Sequence, residues 1–186
     1  MNRAPLRIVC AEPHDLDRYI DLLEDLAEWM HVRGIEQWPR GRARNGRDYY
    51  RASIDRRELH LAFLDDEFAG GLRLLRRDPV VWPEITEDDA LYLYTLAVRR
   101  TFSGRGLGRE LLAWAERQVS EAGRRYLRLD CVPGNAFLQH YYEDAGFVAR
   151  GEIDAVYPGL AGAMLLRRYE KAIEPGQLPA RPDRHV

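Results

Sequence analysis

The sequence predicts a single α/β domain, and three observations carry that prediction. An apolar strand pattern, Ala90 to Val98, runs through a glycine-rich turn and an amphipathic helix into a second strand, Tyr126 to Cys131. A stripe of apolar residues at helical spacing, Leu16, Ile20, Leu23, Leu26, Ala27 and Met30, marks another helix near the N-terminus. Two apolar runs flank Asp65-Asp66-Glu67 and read as a hairpin. At 186 residues the chain is one domain with a substantial core.

The elements follow in order. Leu6 to Ala11 is a strand. Asp15 is a good N-cap for a helix that runs to about Arg33 and stops at Gly34. A loop through Trp38-Pro39 leads to a second helix over Asp48 to Arg56. Leu59 to Leu64 and Phe68 to Arg76 form the hairpin. Asp78 to Asp89 is a polar, proline-bearing loop that contains Trp82. In the helix after the glycine turn, Leu107, Leu111, Leu112, Ala115 and Val119 share one face. Asn135 opens a short helix, Val148 to Ile153 is a strand, and Ala163 to Tyr169 is the last strand after a loop at Tyr157 to Leu160. The domain covers 1–173, and 174–186, rich in proline, reads as a loose tail.

Composition narrows the function classes. No apolar run reaches the roughly 20 residues of a membrane span, and the N-terminus leads straight into a strand with no signal-peptide pattern. Cys10 and Cys131, the only two cysteines, sit in apolar strand patterns and read as reduced core residues of a cytoplasmic protein. Acids number 30 against 28 basic residues, for a net charge of −2. That balance argues against nucleic acid as a partner, and the one basic segment, Arg40 to Arg47, reads as a solvated loop. The five histidines do not fall at metal-ligand spacing, so no metal is expected. A homodimer is left open.

The turn Gly104-Arg105-Gly106-Leu107-Gly108 is built to hold phosphate. Its glycines let backbone N–H groups point outward, and the helix N-terminus behind them adds partial positive charge. A Walker loop is excluded, because no Lys-Ser/Thr follows the last glycine. A dinucleotide fingerprint would need glycine where Arg109 stands, and Arg99 to Ser103 separate the strand from the turn. Asp130, about 20 residues further on, keeps that comparison open. A plain glycine turn without a ligand is the third reading.

Downstream, Asn135 is followed by Tyr142-Glu143 and Gly146-Phe147. Strand, G-x-G-x-G turn, helix, strand, then N-x(6)-Y-E-x-x-G-F resembles the GNAT superfamily of N-acetyltransferases, from about Ile8 to about Tyr169. The family pyrophosphate motif is Q/R-x-x-G-x-G/A, and here Ser103 stands at its first position. The resemblance implies one domain with a mixed, mostly antiparallel central sheet. Helices would lie on both faces, and the sheet would splay between the fourth and fifth strands. It implies acetyl-CoA as cosubstrate, with its pyrophosphate on Ser103, Gly104, Arg105, Gly106, Leu107, Gly108 and Arg109. Its pantetheine would pair with backbone groups of Leu96 and Val98 and touch Asn135.

By the same resemblance Tyr142 protonates the departing CoA thiolate, for which its hydroxyl needs only hydrogen-bond reach. Tyr141 points about 100° away around the helix, toward the core. The base is less defined. Histone-type members carry glutamate where this chain has Tyr92, which could order a water; Glu36 and Asp130 are acidic alternatives. The acceptor is a primary amine of a small molecule or peptide. Trp38, Trp82, Tyr92 and Tyr94 suggest an aromatic acceptor pocket, with Glu36, Asp88, Asp89 and Asp130 as acids near it. A catalytically silent CoA-binding regulatory module is the alternative.

Overall fold

The computed structural model describes residues 5–35, 37–157 and 162–174. Its seven strands are β1 (Arg7–Cys10), β2 (Leu59–Leu64), β3 (Glu67–Leu75), β4 (Ala90–Val98), β5 (Tyr126–Cys131), β6 (Val148–Ala155) and β7 (Met164–Ala172). The helices are α1 (Leu16–Val32), α2 (Arg42–Asn45), α3 (Arg47–Asp55), α4 (Leu107–Glu121) and α5 (Ala136–Asp144). The strands form one sheet in the order β1-β2-β3-β4-β5-β7-β6. Only β4 and β5 pair in parallel; the other neighbours are antiparallel. This is the mixed, mostly antiparallel sheet that the family resemblance implies. The parallel step falls where α4 provides the crossover such a pair requires.

Alternation along the strands divides the core. Leu72, Leu91, Leu93, Leu127 and Leu129 face α4 and α5, and meet Leu111, Ala115, Val119 and Tyr142. Leu59 and Leu61 face the other way, against Tyr19, Ile20 and Leu23 of α1 and Tyr50 and Ile54 of α3. Helices therefore cover both faces. The β2–β3 turn uses Asp65 and Asp66 at φ 51° and 61°, the left-handed pair of a tight hairpin that aspartate tolerates better than most residues.

Three local expectations change. Asp15 does not cap α1 with its side chain; it accepts from the Glu12 amide at 3.0 Å and pairs with Arg18. It closes the short turn before the helix instead. The basic segment is not a solvated loop. It folds into α2 and the start of α3, and Arg40, Arg44 and Arg47 pair with Glu28, Asp21 and Asp17 of α1. Trp82 is 3% exposed and belongs to a third apolar cluster with Leu75, Val81 and Leu166. Among the described residues no helix is long and apolar enough to cross a membrane. The expected loop at 158–160 and most of the expected tail lie outside the described residues.

Candidate active site

The glycine turn sits between a short turn at Arg100–Phe102 and the first residue of α4. Phe102 and Leu107 are buried and pin its two ends. Gly104 and Gly106 have φ of 75° and 78°, and a Cβ at either position would meet nothing within 4 Å. The cradle is therefore open on its outer side. The first turn of α4 closes with bonds from the Arg109 and Glu110 amides to the Gly106 carbonyl. The Leu107 and Gly108 amides precede that ladder and belong to the helix end that attracts anions. Arg105 lies with its guanidinium 5.1 Å from the Phe102 ring, and Arg109 with its own 5.3 Å from the Tyr141 ring. Ser103 is exposed at the end of the preceding turn.

Next to the cradle the sheet opens. β4 and β5 pair only at Ala90–Tyr126, Leu91–Leu127 and Tyr92–Arg128. Among the described residues, the β4 edge that faces β5 has no strand partner beyond Tyr92, and neither does the facing edge of Leu129 to Cys131. Such edges accept an extended ligand as an added strand. Leu96 and Val98, half-buried, lie on this open stretch of β4.

A bulge shapes that edge. Register against β3 shifts between Gly71 and Arg73, and opposite the shift Thr95 adopts φ 47°. A β-branched residue is strained there. Tyr19 of α1, 0% exposed, holds it: its hydroxyl lies 2.9 Å from the Thr95 carbonyl oxygen and 2.7 Å from Thr95 Oγ1. Two glycines make room. A Cβ on Gly71 would lie 3.0 Å from the Tyr19 ring, and one on Gly70 2.2 Å from the Ala97 carbonyl oxygen. Tyr19→Phe is expected to destabilise the fold by about 1–3 kcal/mol, the cost of leaving buried polar groups unpaired. Chemical denaturation reads this directly; an unchanged midpoint would mean that the bulge holds without Tyr19.

Asn135 caps α5, accepting from the Leu138 amide at 3.1 Å. Its Nδ2 donates to Gln37 Oε1 at 3.2 Å, and the Val132 amide donates to the same oxygen at 3.4 Å. Gln37 thus ties the loop after α1 to the end of β5. Sequence reading passed over it, since a lone glutamine in a loop carries no signal. Tyr142 is 8% exposed and its ring contacts Tyr141, Phe147 and Tyr169. Burial pushes its phenol well above the usual range. Tyr141 turns toward α4 rather than into the deep core: a Cβ on Gly108 would lie 2.9 Å from its hydroxyl oxygen, which is buried with no partner among the described residues.

Across the opening a cluster of acids and phenols gathers on the other sheet face. Asp130 follows the part of β5 that pairs with β4. Burial, with Asp78 adding like charge, raises its carboxyl to about 7, against the pull of Arg42 and the Tyr94 hydroxyl. Tyr94 donates to Asp78 Oδ2; Asp78 Oδ1 also accepts from the Val80 and Val81 amides at 3.1 and 3.0 Å. Tyr157 joins through Tyr94, with the Arg42 guanidinium 4.9 Å from its ring. Four segments distant in sequence converge here.

The structure does not assemble the other expected acceptor residues. Tyr92 lies in the paired half of β4, where its hydroxyl accepts from Arg128 at 3.1 Å and its ring lies 6.4 Å from that of Trp82. It is a packing residue, and its raised phenol would make a still poorer base. Trp38 is half-buried against the α1–α3 core. Asp88 and Asp89 are taken by Arg124 at 2.6 Å and Arg128 at 3.4 Å. Glu36 lies outside the described residues. Of the aromatic pocket only Tyr94 remains, joined by Tyr157.

Known proteins carry the same architecture. Residues 22–147 match the acetyltransferase (GNAT) family. An uncharacterized N-acetyltransferase of Bacillus subtilis (strain 168), YesJ, is 32% identical over 143 residues, which are 74% of this chain and 78% of that protein. Among solved structures, a GNAT-family acetyltransferase of Listeria monocytogenes superposes with a TM-score of 0.74 at 24% identity, covering 92% of this chain and 99% of that one. The PaiA N-acetyltransferase of Thermoplasma acidophilum, solved with coenzyme A, gives 0.65 at 17% identity, covering 91% and 99%. With its glycine cradle at the mouth of a splayed β4–β5 pair, and with the family match spanning both, this chain belongs to the GNAT acetyltransferase family.

Proposed function

We propose that this protein is an N-acetyltransferase that moves an acetyl group from acetyl-CoA to a primary amine by direct transfer in a ternary complex. The observation that carries the reading is the open glycine cradle beside two unpaired strand edges, a shape that fits a pyrophosphate with an amide-bearing arm. Relatives solved with coenzyme A and with acetyl-CoA support the choice of cosubstrate. Ser103 through Arg109 would hold the pyrophosphate, while Leu96, Val98 and Asn135 would meet the pantetheine. Acetyl-CoA supplies the acetyl group as an activated thioester.

The chain's own groups do the rest. Asp130, raised toward neutral, takes a proton from the incoming ammonium so that its nitrogen can attack. Its proton can pass on toward Tyr94 and Asp78. Backbone donors on the bulged β4 edge stabilise charge as it develops on the carbonyl oxygen. Tyr142, whose burial keeps the phenol protonated, donates to the sulfur as the C–S bond breaks, and the proton that the acylated nitrogen then loses restores the phenol. Free Cys10 and Cys131 support a reducing, cytoplasmic setting.

Thiol release from acetyl-CoA, measured over a panel of amines, tests the reading. Amine-dependent release supports it. CoA binding with no release from any amine would favour a silent CoA-binding module. CoA is expected to raise the Tm by mass action, and Gly106→Glu to abolish that rise, because a carboxylate enters the cradle at a left-handed φ. An undiminished rise in the variant would place CoA elsewhere.

A further inference from the structure

A cavity of about 620 Å³ is lined by Tyr94 and Tyr157, the two phenols that neighbour Asp130, and by Arg76 and Arg77 past the end of β3. Its charges are not balanced. Arg56 and Arg124 are paired, with Glu58 at 3.0 Å and Asp88 at 2.6 Å. Arg76 and Arg77 are exposed, and among the described residues neither side chain pairs with a carboxylate. Behind the wall lies Arg73, 1% exposed. Its Nε donates to Ser53 Oγ at 3.0 Å, but its Nη2 is buried and has no partner among the described residues. Its guanidinium stacks 4.2 Å from the Tyr49 ring centroid and 5.7 Å from that of Tyr94, and both rings line the cavity. The acid nearby, Asp78, is committed to Tyr94 and two loop amides. A buried guanidinium without a carboxylate partner is costly, and an anion brought by a ligand would offset that cost.

Strand register orders the two ends. Tyr94 pairs with Arg73 on β3, and its hydroxyl lies against Asp130. β3 ends at Leu75, opposite Tyr92, so Arg76 and Arg77 follow at the bend where the chain leaves the sheet.

We infer that the acceptor amine carries a carboxylate, held by Arg76 and Arg77 in this cavity near the charge of Arg73. The inference rests on the acetyltransferase reading. The test compares thiol release with a tripeptide and its C-terminal amide, and with an ω-amino acid and the matching alkylamine. The acids are expected to show kcat/KM about tenfold higher, mostly through KM, the scale of a charged hydrogen bond. In an Arg76→Ala/Arg77→Ala variant, both positions being exposed, the acid-to-neutral ratio should fall close to one. A preference confined to one arm identifies a peptide terminus or a free amino acid as the source, and either supports the inference. Equal use of acids and neutral partners, or a preference that survives in the double variant, would overturn it. Absence of release from every amine, with CoA still raising the Tm, would overturn the acetyltransferase reading instead.

Discussion

Tyr142→Phe is expected to lower turnover by about 10²- to 10⁴-fold, the usual cost of losing a positioned proton donor, while acetyl-CoA affinity stays near the wild-type value. The ring is fixed by Tyr141, Phe147 and Tyr169, and phenylalanine keeps those contacts. Among the described residues the Tyr142 hydroxyl bonds to no other group, so its removal leaves no orphaned partner. Little loss of stability should accompany the loss of rate. Tyr141→Phe is the matched control. The hydroxyl of Tyr141 is already buried with no partner among the described residues, so its removal should be neutral or slightly stabilising. Steady-state kinetics with both variants decide the matter. If the two lose equal activity, or if Tyr142→Phe keeps full turnover, the donor is water or another side chain.

Asp130→Asn should move activity and stability in opposite directions. As the base, Asp130 must be ionised, so wild-type kcat/KM should rise with pH and level off above about 7. The variant should lose about 10²- to 10⁴-fold at the plateau and lack that rise. Stability responds with the opposite sign. The unfolded chain ionises this carboxyl near the usual 3.9, whereas the folded chain holds its proton until about 7. Between those values the folded state binds more protons, so its stability falls as pH rises. Asparagine carries no such penalty. The variant should therefore melt higher than the wild type above pH 7, and the difference should vanish below about pH 4. Loss of activity with no gain in stability would mark Asp130 as structural support; full activity would remove it from the mechanism.

Much of the fold was legible because its signals are local. Strands Ala90–Val98 and Tyr126–Cys131 occupy the predicted residues, since apolar runs bounded by turn residues depend on near neighbours alone. The same holds for the Asn135 cap and the glycine turn. The acceptor side was not legible, and Tyr92 and Tyr94 show why. They share one face of β4 by the two-residue period, and nothing in their own sequence separates them. The parallel pairing ends between them. Tyr92 is consequently sealed beneath Arg128, while Tyr94 meets Asp78 at the opening.

By itself the amino-acid sequence determined the order of the elements, the glycine turn and the family, all of which follow from spacing along the chain. Only the tertiary structure decided the chemistry of the opening: where β4 leaves β5, which tyrosine lines it, how far Asp130 is raised, and which arginine is buried away from any carboxylate among the described residues. Charge and burial at those positions depend on groups tens of residues away, because the field at a side chain is set by what surrounds it in space.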